Sequence, residues 1–119
     1  MLEGVALGLR DCLDVVREVG AAPEIGRASG GGARSELWLQ IVASVLELPV
    51  ERLAVEEGAA YGAALLGGIA GGVWAGAQEA VSACVRPHGR VDPVPGWVEA
   101  YREQRKRFRA LYPALRDIR

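Results

Sequence analysis

The sequence predicts an α/β architecture. Two short β-favourable runs, residues 24–29 and 50–55, are each followed by a break and a helical pattern, and a glycine cluster separates the first run from its helix. Two successive strand–helix units of this length imply neighbouring parallel strands joined by right-handed crossovers, with helices added at the N- and C-termini.

Taken in order, residues 2–19 carry Leu2, Val5, Leu9, Cys12, Val16 and Val19 at three- and four-residue steps, and Gly20 stands where such a helix stops. This predicts an amphipathic helix that buries that stripe. Ala21-Ala22-Pro23 makes a turn into the first strand, whose Ala28 is less β-branched than a strong strand would have. After three consecutive glycines, Ser35 opens a helix with Leu37, Trp38, Ile41, Val42, Val45 and Leu46 on its apolar face, and Leu48-Pro49 breaks it. The Gly/Ala run from Glu57 follows the second strand and predicts a helix packed by its small face. Residues 78–85 read as a short helix, 86–95 as a loop with Pro87, Pro93 and Pro95, and 97–111 as a terminal helix with Trp97, Tyr101, Phe108 and Leu111 on one side. Two strands are fewer than a free-standing parallel sheet needs, so a larger protein or self-association should complete it.

Composition narrows the function classes. The 119 residues fit one domain, are half apolar and carry a net charge of −1, which disfavours disorder and a generally basic nucleic-acid binder. Sixteen glycines and nineteen alanines against 6% aromatics imply close backbone packing. Residues 90–119 hold eight basic and four acidic residues, and five of the basic ones lie between Arg102 and Arg109. An amphipathic helix with a solvated face explains them, and no nucleic-acid partner is expected. Residues 58–77 lack charge, but seven of these twenty are glycine and only Leu65, Leu66, Ile69 and Val73 favour insertion strongly, so a buried helix is expected and no membrane span. Cys12 and Cys84 read as buried thiols, and the N-terminus has no signal-peptide pattern; both suggest a reducing, cytoplasmic location.

The sharpest chemical feature is Ser29-Gly30-Gly31-Gly32-Ala33-Arg34-Ser35, between a strand and a helix. Lacking Cβ atoms, glycines let an anion reach main-chain N–H donors, and the helix N-terminus adds positive potential. No lysine precedes Ser35, so the loop is not a Walker A motif, and Ser35 occupies the last glycine position of GxGxxG. A nucleotide-phosphate turn and a plain strand-to-helix turn with Ser35 as N-cap both satisfy the pattern. Elsewhere, His88 is isolated in a turn-like segment. Asp11, Asp14, Asp92 and Asp117 read as solvated or capping carboxylates, and Trp38, Trp74 and Trp97 as packing anchors.

Four blocks in order resemble the C-terminal part of the FGGY carbohydrate kinases, and among them the xylulokinases: LEGVALGLRD, SGGGARSELWLQIVASVLELPV, EEGAAYGAALLGGIAGGVW and YREQRKRFRALYPALRDI. The resemblance implies a partial actin-like ATPase (ribonuclease H-like) domain, residues 1–119 forming the C-terminal part of the second, nucleotide-side domain. It implies an ATP-dependent kinase of a ketose or polyol, with ATP/ADP and Mg²⁺ as cofactors in the complete enzyme. Main-chain N–H groups of Gly31, Gly32 and Ala33 would meet the phosphates, Ser35 and Glu36 would lie on the adenosine side, and Gly58, Ala59, Gly62 and Ala63 would back the loop. The metal ligands, sugar pocket and catalytic aspartate of such kinases lie upstream of this segment, so no catalytic residue is assigned here and the chain alone should be inactive. A non-catalytic nucleotide-binding or dimerisation module is the alternative. Two departures stand out: Ser44 replaces a frequently acidic residue, and Glu47 replaces the glycine that would end its helix.

Overall fold

The computed structural model describes residues 1–54, 58–116 and 118. Helix α1 spans Leu2–Glu18, followed by β1 (Gly26–Ala28), a 3₁₀ turn (Gly31–Arg34) and α2 (Glu36–Leu46). Next come β2 (Val50–Leu53), α3 (Gly58–Ala70), α4 (Ala77–Cys84), β3 (Pro87–Val91) and α5 (Pro95–Leu115). The expected parallel pair forms, with Gly26, Arg27 and Ala28 opposite Val50, Glu51 and Arg52. The first expected strand shortens to three residues, and Val55 of the second lies outside the described residues.

A third strand corrects the loop expected over residues 86–95. β3 pairs antiparallel with β2, giving the order β1-β2-β3. Its composition hides it. Pro87 opens the strand, where a missing N–H costs least, and Gly89 at φ +88° accompanies a shift in register between Glu51 and Leu53. Proline and glycine serve here as strand-edge and bulge residues.

The core gathers on α2. Leu39, Ile41, Val42, Ala43 and Val45 are buried with Ala6 and Leu7 of α1, Val50 and Val91 of the sheet, and Tyr101 of α5. Trp97 meets Tyr101 edge-to-face at 6.5 Å, and Trp38, Trp97 and Phe108 pack against the core. α5 starts with Pro95 in its first turn, where a missing N–H is harmless, and extends four residues beyond Leu111.

α1 forms as expected but turns the other way. Leu2, Val5, Leu9, Cys12, Val16 and Val19 are exposed, whereas Ala6 and Leu7 are buried. The face toward α2 and α5 combines small residues with arginine and carboxylate groups whose charges pair across the seam, so hydrophobic periodicity alone pointed to the wrong side. Cys12 is consequently exposed and Cys84 half-buried, correcting the expectation of two buried thiols. α3 is also not a buried helix: none of its residues is buried, and it rests on α4, where Tyr61 Oη donates to the Cys84 carbonyl at 2.8 Å. Among the described residues no helix is long and apolar enough to cross a membrane.

The shape is elongated, 54 × 32 × 27 Å, with a radius of gyration of 17.3 Å. A compact chain of this length would have a radius near ~13.5 Å.

Candidate functional site

The glycine loop leaves the C-terminal end of β1. Ser29 leads to Gly30 at φ +81°, a conformation that favours glycine, and the chain then winds into the 3₁₀ turn. The Ala33 N–H donates to the Gly30 carbonyl at 3.0 Å, and the Ser35 N–H to the Gly32 carbonyl at 3.2 Å. Ser35 Oγ accepts the Trp38 N–H at 3.2 Å, realising the expected N-cap of α2. The N–H groups of Gly31 and Gly32 find no acceptor among the described residues, and both glycines are exposed. Of the three amides expected to meet an anion, two are therefore available and that of Ala33 is committed to the turn. A Cβ at Gly31 would meet open space, whereas one at Gly32 would lie 3.4 Å from the Trp38 ring.

Beside the loop is a hollow of about 130 Å³ bounded by Ser29-Gly30, Arg34, Arg52 and His88. At ~30 Å³ per water, it has room for a phosphate-sized group or a few waters and not for a whole nucleotide. It sits at the C-terminal end of the parallel pair, where open α/β sheets place their ligands. β3 contributes His88 because its antiparallel direction brings its start to that end.

Arg52 is a residue beside the hollow that the motif reading missed. Its Nε donates to the Ala33 carbonyl at 3.0 Å, and its Nη2 pairs with the Glu36 carboxylate. Glu36 thus faces β2 at the base of α2. The signal that would have found Arg52 is its place at the end of the second parallel strand, next to the loop that leaves the first. Gly58 of α3 also reaches the loop: a Cβ there would lie 3.1 Å from Ser29 Oγ. Gly62 has open space at its Cβ position, and Ala59 and Ala63 are exposed, so close backing of the loop is seen at Gly58.

A second polar region lies where α1, α2 and α5 meet. Arg105 pairs with Asp11 at 2.6 Å and with Asp14, while Arg10 bridges Asp14 at 3.2 Å and Glu47 at 3.0 Å. Arg102 binds Glu47, Lys106 binds Glu103, and Arg109 lies 3.8 Å from Asp11. The Arg102 hydrogen bond outweighs burial and, with Arg10, holds the Glu47 carboxyl below its ordinary 4.5. Burial pushes Asp14 up, but hydrogen bonds from Arg105 and Arg10 outweigh it and hold the group below 3.8. Asp11 and Asp14 are therefore engaged carboxylates, not solvated ones, and a cavity of about 370 Å³ nearby is lined by Glu47 and by arginines and a lysine already paired with acids of this region. Asp92 pairs with Arg90 at 2.8 Å on β3, and Asp117 lies outside the described residues. No group of three or more His, Cys, Asp or Glu able to hold a metal occurs among the described residues.

Comparison with known proteins then decides the family. Residues 1–71 match the model for the C-terminal domain of the FGGY family of carbohydrate kinases. The chain belongs to the FGGY carbohydrate kinases. The crystal structure of xylulose kinase from Rhodospirillum rubrum superposes with a TM-score of 0.82 at 39% identity, over 98% of this chain and 24% of that one. The xylulose kinase of Bacillus subtilis (strain 168) is 26% identical over 118 residues, 99% of this chain and 24% of the relative. The glycerol kinase of Solidesulfovibrio magneticus is 42% identical over 79 residues, 66% of this chain and 16% of that kinase. This FGGY chain thus spans about a quarter of the length of the xylulose kinases it matches. Its α/β fold is that of the actin-like ATPase sugar kinases, and its glycine loop, α2 and β2 all fall within the matched residues.

Proposed function

We propose that this chain is the C-terminal part of the nucleotide-side domain of an ATP-dependent sugar kinase that phosphorylates a ketose or polyol, with xylulose as the favoured substrate. Its contribution is the adenosine and phosphate side of the ATP site. The observation that carries this reading is the pair of exposed N–H groups at Gly31 and Gly32, without an acceptor among the described residues, at the C-terminal end of the parallel strands. Ser35 and Glu36, at the entrance of α2, lie on the adenosine side of that cradle.

Phosphoryl transfer also needs a metal and a base beside the attacking hydroxyl. In such kinases Mg²⁺ would supply charge neutralisation between the phosphates, and this reading assigns its ligands to the remainder of the enzyme. Alone, the chain binds nucleotide without turnover. The uncovered apolar stripe of α1, in which Val5 is 56% exposed, with Val15 beside it 59% exposed, supports a working state in which further polypeptide covers this face.

Calorimetric titration of the purified chain with ADP, alongside an assay of xylulose-dependent ATP hydrolysis, tests this reading. Saturable ADP binding without turnover is expected. Xylulose-dependent turnover by this chain alone would refute the division of labour. A stable dimer indifferent to ADP would favour a non-catalytic dimerisation module.

A further inference from the structure

We propose that Arg52 is a positioning residue that holds the glycine loop in the form whose Gly31 and Gly32 amides are open, an inference that rests on the nucleotide reading above. Consecutive glycines have the largest backbone freedom of any sequence, so a Gly30-Gly31-Gly32 segment tied only to itself would sample many shapes. Its own ties are the short i→i+3 bonds of the 3₁₀ turn, among them Ala33 to Gly30 and Ser35 to Gly32. Arg52 adds a tie from outside. It stands opposite Ala28 at the root of the loop, on the central strand of the sheet. From there one nitrogen takes the Ala33 carbonyl at 3.0 Å and another takes Glu36 in the first turn of α2.

The geometry needs a guanidinium. Its planar fork serves two acceptors in different elements at once, whereas an ammonium is a single point charge on a flexible stem. Fixing the Ala33 carbonyl fixes the peptide plane that ends the 3₁₀ turn, and Glu36 locks the fork to the helix that the turn enters. The same guanidinium lines the 130 Å³ hollow, so the residue that shapes the loop also leaves positive charge beside it. Gly89 of β3 lies beside the guanidinium, where a Cβ would make an ordinary contact 3.7 Å from Arg52 Nη1. A loop already held in its binding shape loses less entropy on meeting a phosphate.

Two readouts test the proposal on the 119-residue chain: amide hydrogen exchange by NMR without ligand, and calorimetric titration with ADP. Arg52→Gln should speed exchange at Ala33 and Ser35 by about tenfold or more relative to amides in the α2 core, and weaken ADP binding by about tenfold. Arg52→Lys should recover only part of either effect. Glu36→Gln, which leaves the Ala33 tie in place and serves if Arg52→Gln does not fold, should shift both by about threefold in the same direction. Unchanged exchange at Ala33 and Ser35 in Arg52→Gln, or in Glu36→Gln where that variant stands in, overturns the positioning role. So does equal ADP affinity in a wild type and a variant that both bind it. If the wild type does not bind ADP while Arg52→Gln still loosens the loop, the positioning role stands and the nucleotide reading falls.

Discussion

Arg102 grips Glu47 with two nitrogens, Nη2 donating to Oε2 at 2.6 Å and Nε to Oε1 at 3.2 Å. The same carboxylate receives Arg10 Nη1 at 3.0 Å. Glu47 holds this position in a left-handed conformation, φ 57° and ψ 36°, where it ends α2. Among the described residues it is the non-glycine residue with positive φ. The side chain that replaces a helix-ending glycine thus ties α2 to both α1 and α5.

Two substitutions separate conformational strain from ion pairing. Glu47→Gln keeps the left-handed backbone and the shape but removes the charge, and should lower stability by about 1 kcal/mol. Glu47→Gly also removes the charge but relieves a left-handed cost of about 1 kcal/mol, so it should lie within about 0.5 kcal/mol of wild type. Urea midpoints should rank wild type and Glu47→Gly together above Glu47→Gln. A Glu47→Gly variant less stable than Glu47→Gln would show that the hydrogen bonds glutamine can still accept from Arg10 and Arg102 outweigh the strain that glycine relieves.

The same carboxylates set an acid limit. Glu47 and Asp14 both titrate below their ordinary 4.5 and 3.8 in the folded chain. Groups depressed in this way bind protons more readily when unfolded, so their contribution is fully present above about pH 4.5 and is lost as pH falls through the lowered folded values. Thermal midpoints should be flat from pH 7 to about 5 and then fall. Glu47→Gln should flatten the acid limb, and an unchanged limb in that variant would remove Glu47 from the account.

Ser44 gives a prediction of a different kind. Only 1% exposed, its hydroxyl donates to the Gln40 carbonyl at 2.7 Å and accepts the Val94 N–H at 3.0 Å, joining the middle of α2 to the residue that caps α5. Ser44→Ala leaves the Val94 N–H without its partner and should cost about 1–2 kcal/mol. Ser44→Gly would confound this with helix propensity, so alanine is the informative change. A urea midpoint equal to wild type would mean that water replaces the hydroxyl at Val94.

These contacts mark the boundary of what sequence periodicity reveals. The α2 helix, its Ser35 cap, its Leu48-Pro49 stop and the parallel pair were legible because each is specified by neighbours in the chain. The orientation of α1 was not. Its stripe from Leu2 to Val19 has the period of a buried face, yet the face that packs is chosen by Arg10, Asp11 and Asp14 finding Glu47 and Arg105 on distant elements. β3 was hidden for a related reason, since Pro87 and Gly89 look like loop residues until an edge strand with a bulge gives them a place. At the site, the glycine loop was visible as a motif. Arg52 was not, because its meaning depends on two strand ends lying side by side.

In α3 one substitution should have opposite effects at two positions. Gly62 has nothing within 4 Å of its Cβ position, so Gly62→Ala should stabilise by about 0.5–1 kcal/mol through helix propensity alone. At Gly68 a Cβ would lie 2.3 Å from the Trp74 ring. Gly68→Ala must displace that ring and should destabilise by about 1 kcal/mol despite the same propensity gain. Thermal melting followed by tryptophan fluorescence should show a rise at Gly62→Ala and a fall, with altered emission, at Gly68→Ala. A rise in both would mean that Trp74 swings aside without loss.

The loop itself allows structure and ligand contact to be separated. Gly30 needs its left-handed backbone, so Gly30→Ala should destabilise by about 1–2 kcal/mol whether or not nucleotide is present. Gly31 has no such need: its φ is ordinary and its Cβ position is open, so Gly31→Ala should leave the urea midpoint within about 0.5 kcal/mol of wild type. An added methyl beside an exposed N–H that has no acceptor among the described residues does obstruct an incoming phosphate. ADP affinity should therefore fall by about tenfold in Gly31→Ala, while affinity for adenosine, which has no phosphate, should stay unchanged. Equal losses for ADP and adenosine would place Gly31 outside the phosphate contact, because only a donor to the phosphates distinguishes the two ligands.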